Sequence, residues 1–114
     1  MSPVHEHIIA PKENFGAWWQ RYQIVSYKIG TRGGDEAQLS DMIKRCNKVG
    51  VRVYIDLVPN HMTGGSNGRG WVGSEYYGHN GTYPAVPYGP EHFNMNIEGR
   101  CTSTTGKLYS YSKL

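Results

Sequence analysis

The sequence predicts an α/β chain, and two neighbouring stretches carry that expectation. Residues 35–49, "DEAQLSDMIKRCNKV", place Leu39, Met42, Ile43, Cys46 and Val49 on one helical face. Residues 51–57, "VRVYIDL", alternate Val51, Val53, Ile55 and Leu57 with Arg52, Tyr54 and Asp56, the period of a strand. A helix, a glycine turn and an apolar strand make the second half of a βαβ unit. A third observation limits how far that pattern runs. From about residue 60 the composition turns Gly-, Tyr- and Pro-rich, so a domain boundary is expected there.

Residues 1–34 show no sustained helical or strand period and are punctuated by Pro, Gly and Asn, so they read as a long irregular segment. Within them "HEH", residues 5–7, gives two imidazoles and a carboxylate. Spacing of i and i+2 in irregular chain defines no metal geometry, and a surface loop is expected. "WWQRYQ", residues 18–23, is more informative: Trp18, Trp19 and Tyr22 offer flat faces that stack on sugar rings or bases. The same aromatics could equally pin a loop onto a core.

The helix has local start and stop signals. Asp35 is placed to cap its N-terminus, with Gln38 three residues on as in a capping box. Gly50 fits the position after the last turn, where a positive φ is needed. Cys46 is expected to face a core. The strand that follows ends in Asp56, Pro59, Asn60 and His61. In parallel α/β folds, sites gather at the C-terminal ends of strands. There Asn60 supplies a neutral oxygen suited to a hard cation such as Ca²⁺, and His61 a directional hydrogen-bond donor. An ordinary turn capped by Asp56 would use the same residues. Beyond residue 61 only short extended pieces are expected, with a hairpin around Gly106-Lys107.

Composition narrows the function classes. The net charge of +3 comes from scattered basic residues, with no stripe of the kind nucleic acid requires. No apolar run is long enough to cross a membrane, and residues 1–15 lack the apolar core of a signal peptide. His79 and His92 have no evident partner, and Asn80-Gly81-Thr82 is a sequon relevant only in a secreted chain. Taken alone, Cys46 and Cys101 could pair, stay reduced or bond elsewhere. Glycoside hydrolysis uses two carboxylates across the bond. The nine acids here form no such motif, and no nucleophilic triad or phosphate loop is present. Local chemistry therefore gives a sugar- or ion-binding surface without catalytic machinery.

Three stretches together resemble animal-type α-amylases, of the α-amylase family of glycoside hydrolases: "WWQRYQIVSYKIGTRGG" (18–34), "MIKRCNKVGVRVYIDLVPNHMTGG" (42–65) and "YPAVPYGPEHFN" (83–94). "DLVPNH" is similar to that family's short signature at the end of the third barrel strand. The resemblance implies part of a (β/α)8 TIM barrel: the loop after strand 2, helix 2 and strand 3 in residues 1–59, then part of the irregular, β-rich domain B in 60–114. It also implies that Met1 is not the family's natural beginning, so a fragment or truncated product is expected.

By motif position, the resemblance makes Trp18, Trp19, Tyr22, Gln23 and His61 substrate contacts, Asn60 a Ca²⁺ ligand and Asp56 a structural residue of the active-site floor. The whole protein would be a secreted monomer, with chloride as a further possible ion. It would cut internal α-1,4-glucosidic bonds of starch and glycogen with retention, with malto-oligosaccharides among its ligands. The family's three catalytic acids come from strands 4, 5 and 7 and match nothing in these 114 residues, so the chain alone is expected to be inactive and unstable. Cys46 and Cys101 match positions whose partners lie outside the chain, so both are expected to be unpaired. A family bridge near Gly30 is absent, there being no cysteine there. Two rivals stand beside this reading: a non-catalytic glucan-binding or partner-subunit relative, and a nonfunctional truncated product.

Overall fold

A computed structural model of the chain describes residues 1–93. Among these residues it is a mixed α/β segment with one α-helix and two small sheets. The elements in order are β1 (His5–His7), β2 (Ile24–Thr31), β3 (Gly34–Asp35), α1 (Glu36–Lys48), β4 (Asn67–Arg69) and β5 (Glu75–Tyr77), with short 3-10 turns between. The hairpin expected near Gly106 and the whole of Cys101 lie outside the described residues.

The helix forms as its sequence dictates. Asp35 Oδ1 accepts from the Gln38 amide at 2.9 Å, and Gln38 Oε1 accepts from the Asp35 amide at 3.0 Å, closing the capping box. Gly50 ends the helix with φ +77°. Its apolar face does not reach a core, however. Leu39, Met42, Ile43 and Cys46 are only half-buried, and Val49 is 76% exposed. Among the described residues Cys46 has no disulfide partner.

Residues 51–57 also depart from expectation. They join neither sheet, and among the described residues their cross-chain backbone partner is Met1. The Met1 amine donates to the Tyr54 carbonyl at 2.6 Å, and the Asp56 amide donates to the Met1 carbonyl at 2.9 Å. One residue bonded on both sides of Ile55 is the pattern of a parallel ladder. The alternation is real, but a parallel strand needs neighbours on both edges. Without them Val51, Tyr54 and Leu57 stay exposed, the last two at 76% and 64%.

The N-terminal segment is more ordered than its sequence suggests. β1 pairs antiparallel with the eight-residue β2, and β2 with β3. "HEH" is not a surface loop: His5, Glu6 and His7 are all buried in β1. The reason is Glu6, whose side chain is 0% exposed. Its Oε2 accepts from Ser26 Oγ of β2 at 2.5 Å, and its Oε1 accepts from the Val72 and Ser74 amides at 3.0 Å each. One carboxylate thus ties β1, β2 and the turn at residues 70–74. Gly70 has to be glycine for this approach, since a Cβ there would sit 2.5 Å from Glu6 Oε1.

The shared core collects Ile24, Val25, Val58, Met62, Tyr76, Tyr83 and Phe93. Tyr76 and Tyr83 stack at 6.3 Å, and Tyr83 Oη meets Thr63 Oγ1 at 2.7 Å, which satisfies a buried hydroxyl. Fully burying Ile24, Val25 and Met62 contributes about 1.5–3 kcal/mol each. Residues on both sides of position 60 belong to this core. It holds the end of the 51–57 segment against the loop of residues 12–23, and so positions the candidate site.

Two tests follow from this packing. Burial opposes ionisation of Glu6, but hydrogen bonds from the Ser26 and Ser74 side chains and the Ser74 and Val72 amides outweigh it, so its pKa lies below the ordinary value. Its stabilising contribution is therefore complete above the unfolded value of about 4.3 and is lost as pH falls through the lower folded value. Glu6→Ala is expected to cost about 3 kcal/mol by urea unfolding at neutral pH, because buried amides lose their acceptor. Glu6→Gln should cost less and flatten the acid limb, and an unchanged acid limb would refute the role. Separately, a Cβ at Gly30 would collide with Val72 Cγ1. Gly30→Ala should lower stability by about 1–3 kcal/mol, and adding Val72→Ala should restore most of it in the same unfolding assay.

Candidate functional site

The 3-10 turn Trp18–Tyr22 carries the aromatic pair. Fully buried Gln20 anchors it by donating through Nε2 to the Asn14 carbonyl at 2.6 Å. With Gln20 inward, Trp18 turns outward and is 73% exposed, its ring edge-to-face with Tyr22 at 5.9 Å. Trp19 is half-buried. A large ring left in water on an anchored turn is a ready stacking surface.

The end of the 51–57 segment meets this turn. Tyr22 Oη donates to Asp56 Oδ2 at 2.8 Å. His61 Nε2 lies 2.9 Å from the Tyr22 carbonyl, which can only accept, so Nε2 carries the proton. In the neutral ring Nδ1 then accepts from Asn60 Nδ2 at 3.3 Å. Asn60 is exposed and keeps Oδ1 outside these bonds. Gln23 Oε1 accepts from the Gly64 amide at 2.5 Å, pinning the glycine turn that follows. Trp18, Tyr22, Asp56, Asn60 and His61 thus form one connected group, with Gln23 bracing its far side. Trp19 lies in the same 3-10 turn as Trp18 and Tyr22.

The geometry refines what each residue can do. Both His61 nitrogens are engaged, so a sugar hydroxyl at His61 has to replace one of its two partners. Asn60 Oδ1 suits one coordination position of a hard cation. Among the described residues no group of three or more His, Cys, Asp or Glu could hold a metal ion. Asp56 is the carboxylate bonded into the group.

Local sequence reading missed the chemistry around β1. His7 is fully buried, donates through Nδ1 to the Ile8 carbonyl at 2.7 Å and accepts through Nε2 from the Arg32 amide at 3.3 Å. Burial lowers its pKa; the Ile8 bond and Glu6 oppose this, while Arg21 and Arg32 add to it. The imidazole is therefore held neutral. Among the described residues, two buried polar atoms, His5 Nε2 and Gln20 Oε1, have no hydrogen-bond partner. No short motif marks these residues, because their partners are distant in sequence.

The Tyr22–Asp56 contact has its own signature. The hydrogen bond to Asp56 raises the Tyr22 pKa, and desolvation and the carboxylate charge add to the effect. The phenolate absorbance of wild type minus that of Tyr22→Phe should titrate above the ordinary tyrosine value of about 10. Asp56→Asn should bring it back down, and no change on that substitution would argue against the contact.

Comparison with known proteins finds relatives of the chain among the α-amylases, although no family model matches it. An α-amylase from Dermatophagoides pteronyssinus is 52% identical over 112 residues, covering 98% of this chain and 22% of that protein. A pancreatic α-amylase from Struthio camelus is 42% identical over 114 residues, covering 97% of this chain and 22% of its own length. Among solved structures, a mutant of α-amylase I from Eisenia fetida in complex with maltohexaose superposes with a TM-score of 0.84 at 36% identity, covering 96% of this chain and 25% of that one. The chain spans between a fifth and a quarter of the relatives it matches. In sequence and in fold, then, it is homologous to the animal α-amylases and corresponds to one segment of them.

Proposed function

We propose that this chain is the segment of an α-amylase that lines the glucan cleft at the end of the third barrel strand. Residues 1–59 would belong to the barrel and 60–114 to domain B. Trp18, Trp19, Tyr22, Gln23 and His61 contact glucose units, Asp56 orders the floor through Tyr22, and Asn60 gives one oxygen to Ca²⁺ whose other ligands come from elsewhere in the protein. The observation that carries this reading is the linkage of Trp18, Tyr22, Asp56, His61 and Asn60 through short contacts. An aromatic platform beside polar groups fixed by neighbours is what a sugar site requires.

The whole protein would hydrolyse internal α-1,4-glucosidic bonds of starch and glycogen with retention, as a secreted monomer in which chloride is a further ion. The Eisenia fetida complex with maltohexaose supports the ligand class, and the pancreatic relative supports secretion. The 114 residues alone bind without cleaving, because the acids that would protonate the leaving oxygen and attack the sugar are not among the residues matching the family motifs.

A titration with maltohexaose, followed by tryptophan fluorescence, tests the assignment. Saturable quenching is expected, and Trp18→Ala should weaken binding roughly tenfold, the equivalent of about 1.4 kcal/mol. No new reducing ends should accumulate. Binding equal to wild type in Trp18→Ala would remove the platform from the reading, and steady hydrolysis would overturn the non-catalytic assignment.

A further inference from the structure

Asn80-Gly81-Thr82 is a motif that the glucan cleft leaves unused. The fold sets it in a closed loop. β5 ends at Tyr77, and Tyr77 and Thr82 form an antiparallel bridge. The Tyr77 amide donates to the Thr82 carbonyl at 2.9 Å, and the Thr82 amide to the Tyr77 carbonyl at 3.1 Å. Two residues that exchange both bonds carry their side chains on one face, so the Tyr77 ring and the Thr82 hydroxyl are neighbours.

The tip between them, residues 78–81, is held from behind. The Gly78 amide donates to the Ser66 carbonyl at 2.7 Å, and the His79 amide to Asn67 Oδ1 at 3.2 Å. A Cβ on Gly78 would lie 2.5 Å from the Ser66 oxygen, so the loop sits there as closely as only glycine allows. Gly81 then turns the chain with φ +68°. Asn80 is exposed, and among the described residues neither its carboxamide nor the Thr82 hydroxyl makes a hydrogen bond. Tyr77 is 41% exposed, and its Oη donates to Glu75 Oε2 at 3.3 Å. The ring is steadied at its tip while much of it stays in water.

We propose that Asn80 carries an N-linked glycan whose first N-acetylglucosamine packs on the Tyr77 ring beside the Thr82 hydroxyl. The inference rests on reading the whole protein as secreted. In the transfer, Asn80 Nδ2 bonds to the anomeric carbon of a lipid-pyrophosphate-linked oligosaccharide. The carbon–oxygen bond to the pyrophosphate breaks, the lipid pyrophosphate leaves with its electron pair, and the amide gives up one proton. Asn, a residue other than Pro, then Thr is the acceptor pattern for this chemistry. Three features favour a seated glycan over a bare sequon. Nδ2 surrenders no native bond when it is modified. A sugar linked three residues after Tyr77 and two before Thr82 is within reach of both, and the apolar face of a pyranose stacks on an aromatic ring. The loop is already closed and anchored, so the contact costs little further ordering.

The test expresses the 114-residue chain in a eukaryotic host behind a cleavable secretion leader, and measures its mass before and after peptide N-glycosidase. A glycan that the enzyme removes is expected. Asn80→Gln should lack it, and so should Thr82→Ala, which leaves the acceptor nitrogen in place. Seating is read by NMR on the glycosylated chain. The ring current of Tyr77 should move protons of the first sugar upfield of their positions in the free glycan. That shift should persist in Tyr77→Phe and vanish in Tyr77→Ala. Removing the glycan should lower the urea midpoint of wild type and of Tyr77→Phe, and leave Tyr77→Ala unchanged. An unmodified Asn80 overturns the site. A glycan with unshifted protons, or an equal loss of stability in Tyr77→Ala, overturns its seating on Tyr77. Because the leader supplies entry to the secretory path, neither result depends on natural secretion, and the maltohexaose titration judges the glucan cleft independently.

Discussion

The carboxylate of Glu6 holds the described residues together. Among the described residues it is a fully enclosed charge, and its donors come from two distant stretches: Ser26 from β2, Val72 and Ser74 from the turn before β5. Lys28 adds an outer bond to Ser74 Oγ at 2.9 Å. A buried acid with this many donors is both an anchor and a constraint, because each donor loses its partner if the acid leaves. Gly70 follows from it, because a Cβ there would meet the carboxylate. With β1 and β2 fixed, the loop between them has set ends, and the turn bearing Trp18 and Tyr22 lies against the segment that ends in Asn60 and His61.

What was legible in the sequence was what local chemistry writes. The capping box of Asp35 and Gln38 and the glycine stop at position 50 use neighbours three to four residues apart, and they formed as read. β1 was illegible for the opposite reason. "HEH" looks like solvated chain until the turn at 70–74, more than sixty residues on, folds over Glu6. The segment at 51–57 shows a third case: the alternation records one apolar face, but the partners that would bury it are not among the described residues.

The site divides in the same way. Tyr22 and Asp56 are 34 residues apart, and His61 is 39 from Tyr22, so no periodicity links them. In sequence only the likeness of whole motifs to a family groups these residues, and in the fold hydrogen bonds join them physically. Gln23 is the instructive member. Its position suggested a glucose contact, yet its oxygen is committed to the Gly64 amide, so in this conformation its amide nitrogen is the end left to meet a ligand.

The short chain of bonds from Tyr22 through His61 to Asn60 has one more consequence. The Tyr22 carbonyl fixes the proton on His61 Nε2, the bare Nδ1 then calls for a donor, and the carboxamide of Asn60 must turn its nitrogen inward. Its oxygen is thereby aimed away from the ring. In the other tautomer the amide would rotate by half a turn and offer N–H outward, a face that repels cations. A main-chain carbonyl 38 residues upstream therefore sets the polarity that Asn60 presents, through the placement of a single hydrogen.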